Sequence, residues 1–145
     1  INMFSPEHES HIMSAWLMFK KSPIYGVGPN TFRYQCHKKE FKFNDLSCST
    51  HPHNSYIQVL AETGIVGFIF ILYAIYIFSK LVIKHIVQLF LYKDRYLTDY
   101  QICLIACVIC SLWPILPTLN VFNNWINIIY YLPVGFLLHT FYSHR

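Results

Sequence analysis

Residues 63–79 read TGIVGFIFILYAIYIFS, with no Asp, Glu, Lys or Arg among them. The surrounding run from Ile57 to about Ile83 is long enough to cross a bilayer, because a helix needs ~20 apolar residues to traverse ~30 Å of hydrocarbon. A second uncharged stretch, residues 100–144, is too long for one crossing. Pro114, Pro117, Asn120, Asn123 and Asn124 divide it, which predicts helices over about 101–117 and 125–142 joined by a short outside turn. The whole chain of 145 residues is 54% hydrophobic and only 12% charged, against ~25% charged in ordinary soluble domains. A disordered tail and a typical soluble domain are both excluded on that balance. The expectation is an all-α, polytopic transmembrane helical bundle with three spans.

Charge sets its orientation. Lys80, Lys84, Lys93 and Arg95 follow the first span, whereas Asp45 to Glu62 contains no Lys or Arg. By the positive-inside rule, residues 80–99 face the cytoplasm and residues 1–62 lie outside, with Arg145 returning to the cytoplasmic side. The more distant basic residues between Lys20 and Lys42 run against this bias from beyond its effective range. The chain begins with Ile1 and carries no signal-peptide pattern, so it reads as the C-terminal piece of a longer protein, inactive by itself.

Residues 1–54 form the expected external region. Within it, Ile12, Ala15, Trp16 and Phe19 fall at the spacing of one helical face over 9–21. Such a helix either lies along the membrane interface through Trp16 and Phe19 or packs on the protein. A basic, irregular loop follows with Arg33, Lys38, Lys39 and Lys42. Ser55 with Gln58 forms a capping-box pair that starts the first span.

Reactive side chains concentrate in Thr50-His51-Pro52-His53-Asn54, just before that helix. Pro52 restrains His51 to extended backbone, so His53 and Asn54 are presented at a defined spot. A neutral histidine can accept a proton from an attacking hydroxyl, and Arg33 with Lys38 and Lys39 can hold a phosphate or pyrophosphate. A solvated surface histidine is the plainer alternative. The three Asp residues are Asp45, Asp94 and Asp99, with no Asp-x-Asp pair for a hard divalent cation; no metal, cofactor or nucleic acid is expected.

Three blocks resemble the O-antigen ligase and polymerase family: residues 26–33 (GVGPNTFR), 48–56 (CSTHPHNSY) and 61–68 (AETGIVGF). His53-Asn54 is followed by nine residues and then Gly64 and Gly67, the family's spacing, and Pro23 to Phe32 fits its Pro-x-x-Gly-x-Gly-x-x-x-Phe block. The resemblance runs from about Ser10 to Phe78. It implies a GT-C-like membrane fold and inverting, metal-independent transfer of an oligo- or polysaccharide from an undecaprenyl-pyrophosphate donor. The acceptor would be a glycan, lipid A-core or protein hydroxyl at the periplasmic face of the bacterial inner membrane. His53 would be the base and Arg33 the pyrophosphate ligand, with His51, Asn54 and Glu62 in support. An arginine common in the family before the Trp of the first helix has no counterpart beside His11 and Ile12. That role is absent, taken by His11, or supplied from elsewhere.

Several side chains carry two readings. Glu62 orients a sugar hydroxyl or the histidine, or is merely interfacial. Gly64 and Gly67 form a small-residue stripe with Ala61, suited to close helix contact. Cys36 and Cys48 predict a disulfide in an oxidising compartment; the rival is a metal site of Cys36, His37, Cys48 and His51 or His53, which would suit a non-enzymatic metal-binding protein. Cys103, Cys107 and Cys110 share a face of the second span and read as small buried packing residues. The amides of Asn120 to Asn124 either meet sugar hydroxyls or terminate helices.

Overall fold

A computed structural model describes residues 5–114 and 117–142, and no strand occurs among them. The expected cytoplasmic Arg145 lies outside the described residues, as do positions 115–116 of the second predicted span. Helix α1 spans Pro6–Lys21, α2 Phe32–Gln35, α3 Ser55–Val87, α4 Asp99–Ser111 and α5 Asn124–Tyr142; a π-helical turn, Gln88–Tyr92, extends α3.

Helix α1 starts three residues before its expected boundary because Ser5 caps it and Pro6 occupies its first turn. Glu7 and Glu9 at its start and Lys20 and Lys21 at its end complement the helix dipole. Its buried face is Ser10, His11, Ser14, Ala15 and Met18, rotated from the aromatic face that periodicity picks out. Small residues win there because they allow close approach. The Ser14 hydroxyl donates to the Phe41 carbonyl at 2.8 Å, and Ala15 and Met18 pack with Phe32, Cys36, Phe41 and Ala61. So α1 lies on the protein, while Trp16 stacks with Phe19 at 5.2 Å on its half-exposed side.

Cys36 and Cys48 are joined as a disulfide, with a Cα–Cα separation of 5.2 Å. Their sulfurs approach His37 within ligand range, but bonded sulfurs are not thiolates, and the Cys/His metal site falls away. Closing so short a loop stabilises it by about 3 kcal/mol in the chain-entropy model. Cys48→Ser is therefore expected to lower the unfolding temperature of the oxidised protein, and reductant should bring wild type to the same value. A wild-type transition indifferent to reductant would contradict this.

Helix α3 is capped by Asn54, whose Oδ1 accepts from the N–H groups of Tyr56 and Ile57, each at 3.1 Å. The expected Ser55–Gln58 box does not form; the Gln58 side chain turns instead to Asn120 at 2.8 Å. At Gly64 the helix breaks, with φ 65 and ψ −162. A break frees carbonyls on one side and N–H groups on the other. The loop 23–28 takes up both: Val27 and Gly28 N–H donate to the Ala61 and Glu62 carbonyls at 3.0 and 2.9 Å. In return, Ile65 and Val66 N–H donate to the Pro23 and Ile24 carbonyls at 2.9 and 3.2 Å. A Cβ on Gly26 would fall inside the Glu62 backbone, and one on Gly64 inside that of Ile24. The two glycine blocks are thus halves of one backbone junction. Gly64 serves that junction rather than a helix–helix stripe, and Gly67 sits in regular helix beneath Thr63.

Beyond the break, Ile65 to Lys84 rises about 30 Å, the thickness of a hydrocarbon layer. Ile69, Phe70, Leu72, Tyr73 and Tyr76 stand exposed along it, an apolar column of the kind that marks a membrane or partner surface. Among the described residues, Ser55–Tyr92 is the one helix long and apolar enough to cross a membrane.

Helix α4 is shorter than the predicted 101–117. It ends at Ser111, where Leu112 leaves helical geometry, and Pro114 disfavours helical backbone in the residue before it. The following carbonyls are taken by the α3 entrance, as described below. Helix α5 matches 125–142 closely, and Gln101 on α4 donates to Thr140 on α5 at 2.9 Å. That bond turns Gln101, Ile105 and Val108 inward and leaves Cys103, Cys107 and Cys110 exposed, which corrects their reading as buried packing residues. Leu97, Ile105 and Leu137 form a second core with Phe78, Leu81 and Val82 of α3, some 30 Å along α3 from the first.

Candidate active site at the entrance to helix α3

The turn before α3 is latched on one side by Leu112, Pro114 and Thr118. The Thr118 N–H donates to the His53 carbonyl at 2.9 Å, and the Ser55 hydroxyl donates to Thr118 Oγ1 at 2.8 Å. The Asn54 amide donates to the Pro114 carbonyl at 2.8 Å, and the Tyr56 hydroxyl to that of Leu112 at 2.5 Å. With its carbonyl capping the helix and its amide latched, Asn54 positions the turn.

His51 is buried, and its protonation follows from its partners. Its Nε2 lies 3.1 Å from the Thr118 carbonyl, which can only accept, so Nε2 carries the proton and Nδ1 accepts from the Thr50 hydroxyl at 2.9 Å. Burial and the neighbouring His53 push its pKa down to about 4, so it stays neutral and structural at pH 7.

His53 differs. It holds a left-handed backbone with φ 56, a conformation that stores strain in a non-glycine residue and clusters at functional sites. The Ser49 hydroxyl donates to the His51 carbonyl at 2.5 Å, so its oxygen can only accept from His53 Nε2 at 3.4 Å. The proton therefore sits on Nε2, and the lone pair on Nδ1 has no protein partner among the described residues. Burial, then the charge of nearby His8, lower the pKa of His53, which keeps that lone pair available at neutral pH.

Two α1 residues complete the surroundings. The rings of His8 and His11 lie 5.3 and 5.5 Å from that of His53, and His51 lies 4.1 Å away. His8 was not singled out from the sequence, although its i, i+3 spacing with His11 places both on one helix face.

Arg33, on α2, is near enough for its charge to contribute, after burial, His53 and His11, to the depressed pKa of His51. Its Nη2 donates to Asn30 Oδ1 at 3.2 Å, and Asn120 donates to the same oxygen at 3.3 Å. Glu62 holds this segment in place. Its carboxylate oxygens accept from the Asn30 N–H at 2.8 Å and the Phe32 N–H at 2.7 Å, and Gln58 adds a contact at 3.4 Å. Glu62 is fully buried and makes no hydrogen bond to His53; it fixes the glycine loop and, through Asn30, the base of Arg33. Asn120 likewise serves this network. Lys38 and Lys39 sit exposed on the turns after α2, with no hydrogen bond or ion pair to the histidines among the described residues. An apolar pocket of about 320 Å³ lies beside the turn, lined by Ile12, Tyr56, Ile57, Leu60 and Phe68 together with Asn54 and Pro114.

Among the described residues these features define an all-helical protein whose one helix of membrane-crossing length is entered through a histidine in left-handed backbone. Residues 9–72 match the family model of O-antigen ligase, so this segment carries the pattern of a membrane family with a glycan-transfer role in surface polysaccharide synthesis. The matched segment holds His11, Arg33, His53, Glu62 and both glycine blocks, while the latch residues Leu112, Pro114 and Thr118 lie beyond it. No curated protein and no solved structure matches the chain.

Proposed function

We propose that the protein is an inverting glycosyltransferase of the O-antigen ligase or polymerase type. It would move an oligo- or polysaccharide from undecaprenyl pyrophosphate to a hydroxyl of a glycan, lipid A-core or protein acceptor. The observation that supports this reading is the unpartnered Nδ1 lone pair of His53, on a left-handed backbone at the mouth of α3. The acceptor proton passes to Nδ1 as the acceptor oxygen attacks the anomeric carbon from the face opposite the leaving group. The bond to the pyrophosphate oxygen breaks, and that oxygen keeps the electron pair. Arg33 stabilises the charge that develops there, and Lys38 and Lys39 add positive field for an anionic donor. The apolar pocket beside Asn54 suits the first isoprene units. Residues 1–54 then face the periplasm, α3 crosses the membrane, and the segments at about 101–117 and 125–142 supply the further crossings of a multi-pass inner-membrane protein.

The test uses the full-length protein as the sole copy in its cell. Arg33→Ala is expected to lower surface glycan by at least about tenfold, the loss of one charge-assisted contact to the leaving group, with lipid-linked donor accumulating. Normal glycan would remove Arg33 from the donor site. Loss of glycan without donor accumulation would overturn the transfer step itself.

A further inference from the structure

The three rings of His8, His11 and His53 each present one unused nitrogen. His53 offers Nδ1, because Nε2–H is spent on Ser49. His11 is buried, with 8% exposure, and its Nδ1 has no partner. His8 bonds Ser5 through Nδ1 at 3.2 Å, which leaves Nε2. A buried acceptor with nothing to accept from costs stability, so the orphan at His11 points to a missing electron-pair acceptor.

The ring separations approach those around a metal, although the three nitrogens do not converge as closely as the ligand atoms of Cys36, His37 and Cys48 do. With Zn–N bonds of about 2.1 Å and tetrahedral angles, imidazole rings sharing one ion have centroids about 5 Å apart. The separations here are 5.3 Å for His8–His53, 5.5 Å for His11–His53 and 6.4 Å for His8–His11. Only His8 must move inward, and it stands at the half-exposed start of α1. His51 is excluded, since both its nitrogens are engaged and its ring lies too close to His53. The hydrogen bond of His8 to the Ser5 hydroxyl is the kind of outer contact that metal-binding histidines use to fix their tautomers. Imidazoles select Zn²⁺, Cu²⁺ or Ni²⁺ over Mg²⁺ and Ca²⁺.

We propose that His8, His11 and His53 form a site for a borderline-soft divalent cation, Zn²⁺ being the representative, and that its occupancy inhibits the enzyme. The fourth position is left to water. Inhibition rests on His53 being the base, because the ion takes the Nδ1 lone pair that would receive the acceptor proton. The site itself does not depend on that reading.

Full-length protein in detergent is titrated with Co²⁺ for the visible d–d absorption of a tetrahedral nitrogen site, and with Zn²⁺ in competition. Transfer is assayed in parallel in EDTA and in buffered Zn²⁺. Wild type is expected to bind one ion. His8→Ala should bind at least about tenfold more weakly, since losing a ligand costs no less than losing an outer contact, and should need correspondingly more Zn²⁺ for inhibition. Absence of a stoichiometric Co²⁺ band, or a His8→Ala variant that binds as tightly as wild type, overturns the site. Zn²⁺ binding that depends on His8 but leaves transfer untouched keeps the site and overturns His53 as the base.

Discussion

Gly64→Ala is expected to keep the protein from accumulating in membranes. The backbone at Gly64, with φ 65 and ψ −162, is in a region essentially restricted to glycine. The added Cβ would also lie inside the Ile24 carbonyl, which cannot withdraw without breaking the four loop–helix hydrogen bonds of the junction. Strain of 1–3 kcal/mol and the loss of two or more buried bonds at about 1 kcal/mol each sum to a large part of a domain's stability. Gly67→Ala should also destabilise, because the added Cβ would lie 2.5 Å from Thr63 Cβ, which no rotamer change can move, whereas Gly135→Ala should be silent, with nothing within 4 Å. The check is the amount of each variant in purified membranes and its unfolding temperature. A Gly64→Ala protein as abundant and stable as Gly135→Ala would contradict the junction.

The sequence resemblance located that junction without explaining it. Two glycine blocks separated by more than thirty residues look independent in one dimension; only the broken helix shows that each supplies hydrogen bonds the other lacks. Helix α3 was legible because a long apolar run has one reading at that length. Its cap was misplaced by one residue, since Asn54 and Ser55 are both good caps and Gln58 had a tertiary partner in Asn120. The buried face of α1 was misjudged because periodicity weights large apolar residues, whereas close packing against Ala61 and Phe41 selects serine and alanine. Helix α4 was drawn too long because an uncharged run hides the point where carbonyls leave the helix for Asn54 and Tyr56. Of the candidate site, His51, His53, Arg33 and Glu62 were visible as residue types in a motif. Their division into a doubly bonded histidine, a histidine with an unpartnered nitrogen and a buried clamp depends on bonds between segments, and those leave no local trace.

His53→Asn is expected to lower glycan transfer by ~10²–10⁴, the range of a positioned general base. Asparagine tolerates left-handed backbone, so the φ of 56 at this position should survive and the turn should still latch to Thr118. What disappears is an atom able to take a proton at neutral pH. The Asn carboxamide can hydrogen-bond the acceptor hydroxyl but cannot accept its proton, so the acceptor should still bind while the rate falls. Measured with a defined lipid-linked donor, the loss should appear in kcat more than in KM. A loss confined to KM would make His53 a binding residue.

The most direct test is the pH dependence of kcat/KM for the purified full-length protein in EDTA, wild type beside His53→Asn. The groups facing His53 are His8 and His11 from α1, His51 from its own turn and the Arg33 charge. Burial and the positive charge of His8 favour the neutral form, so the active base persists above its pKa and is lost as pH falls through it. Wild type should therefore hold a plateau through neutrality and fall, with unit slope, only below the ordinary histidine value of about 6.5. His53→Asn should show a low residual rate without that limb. A variant that keeps both the rate and the acid limb would contradict His53 as the base that starts glycan transfer.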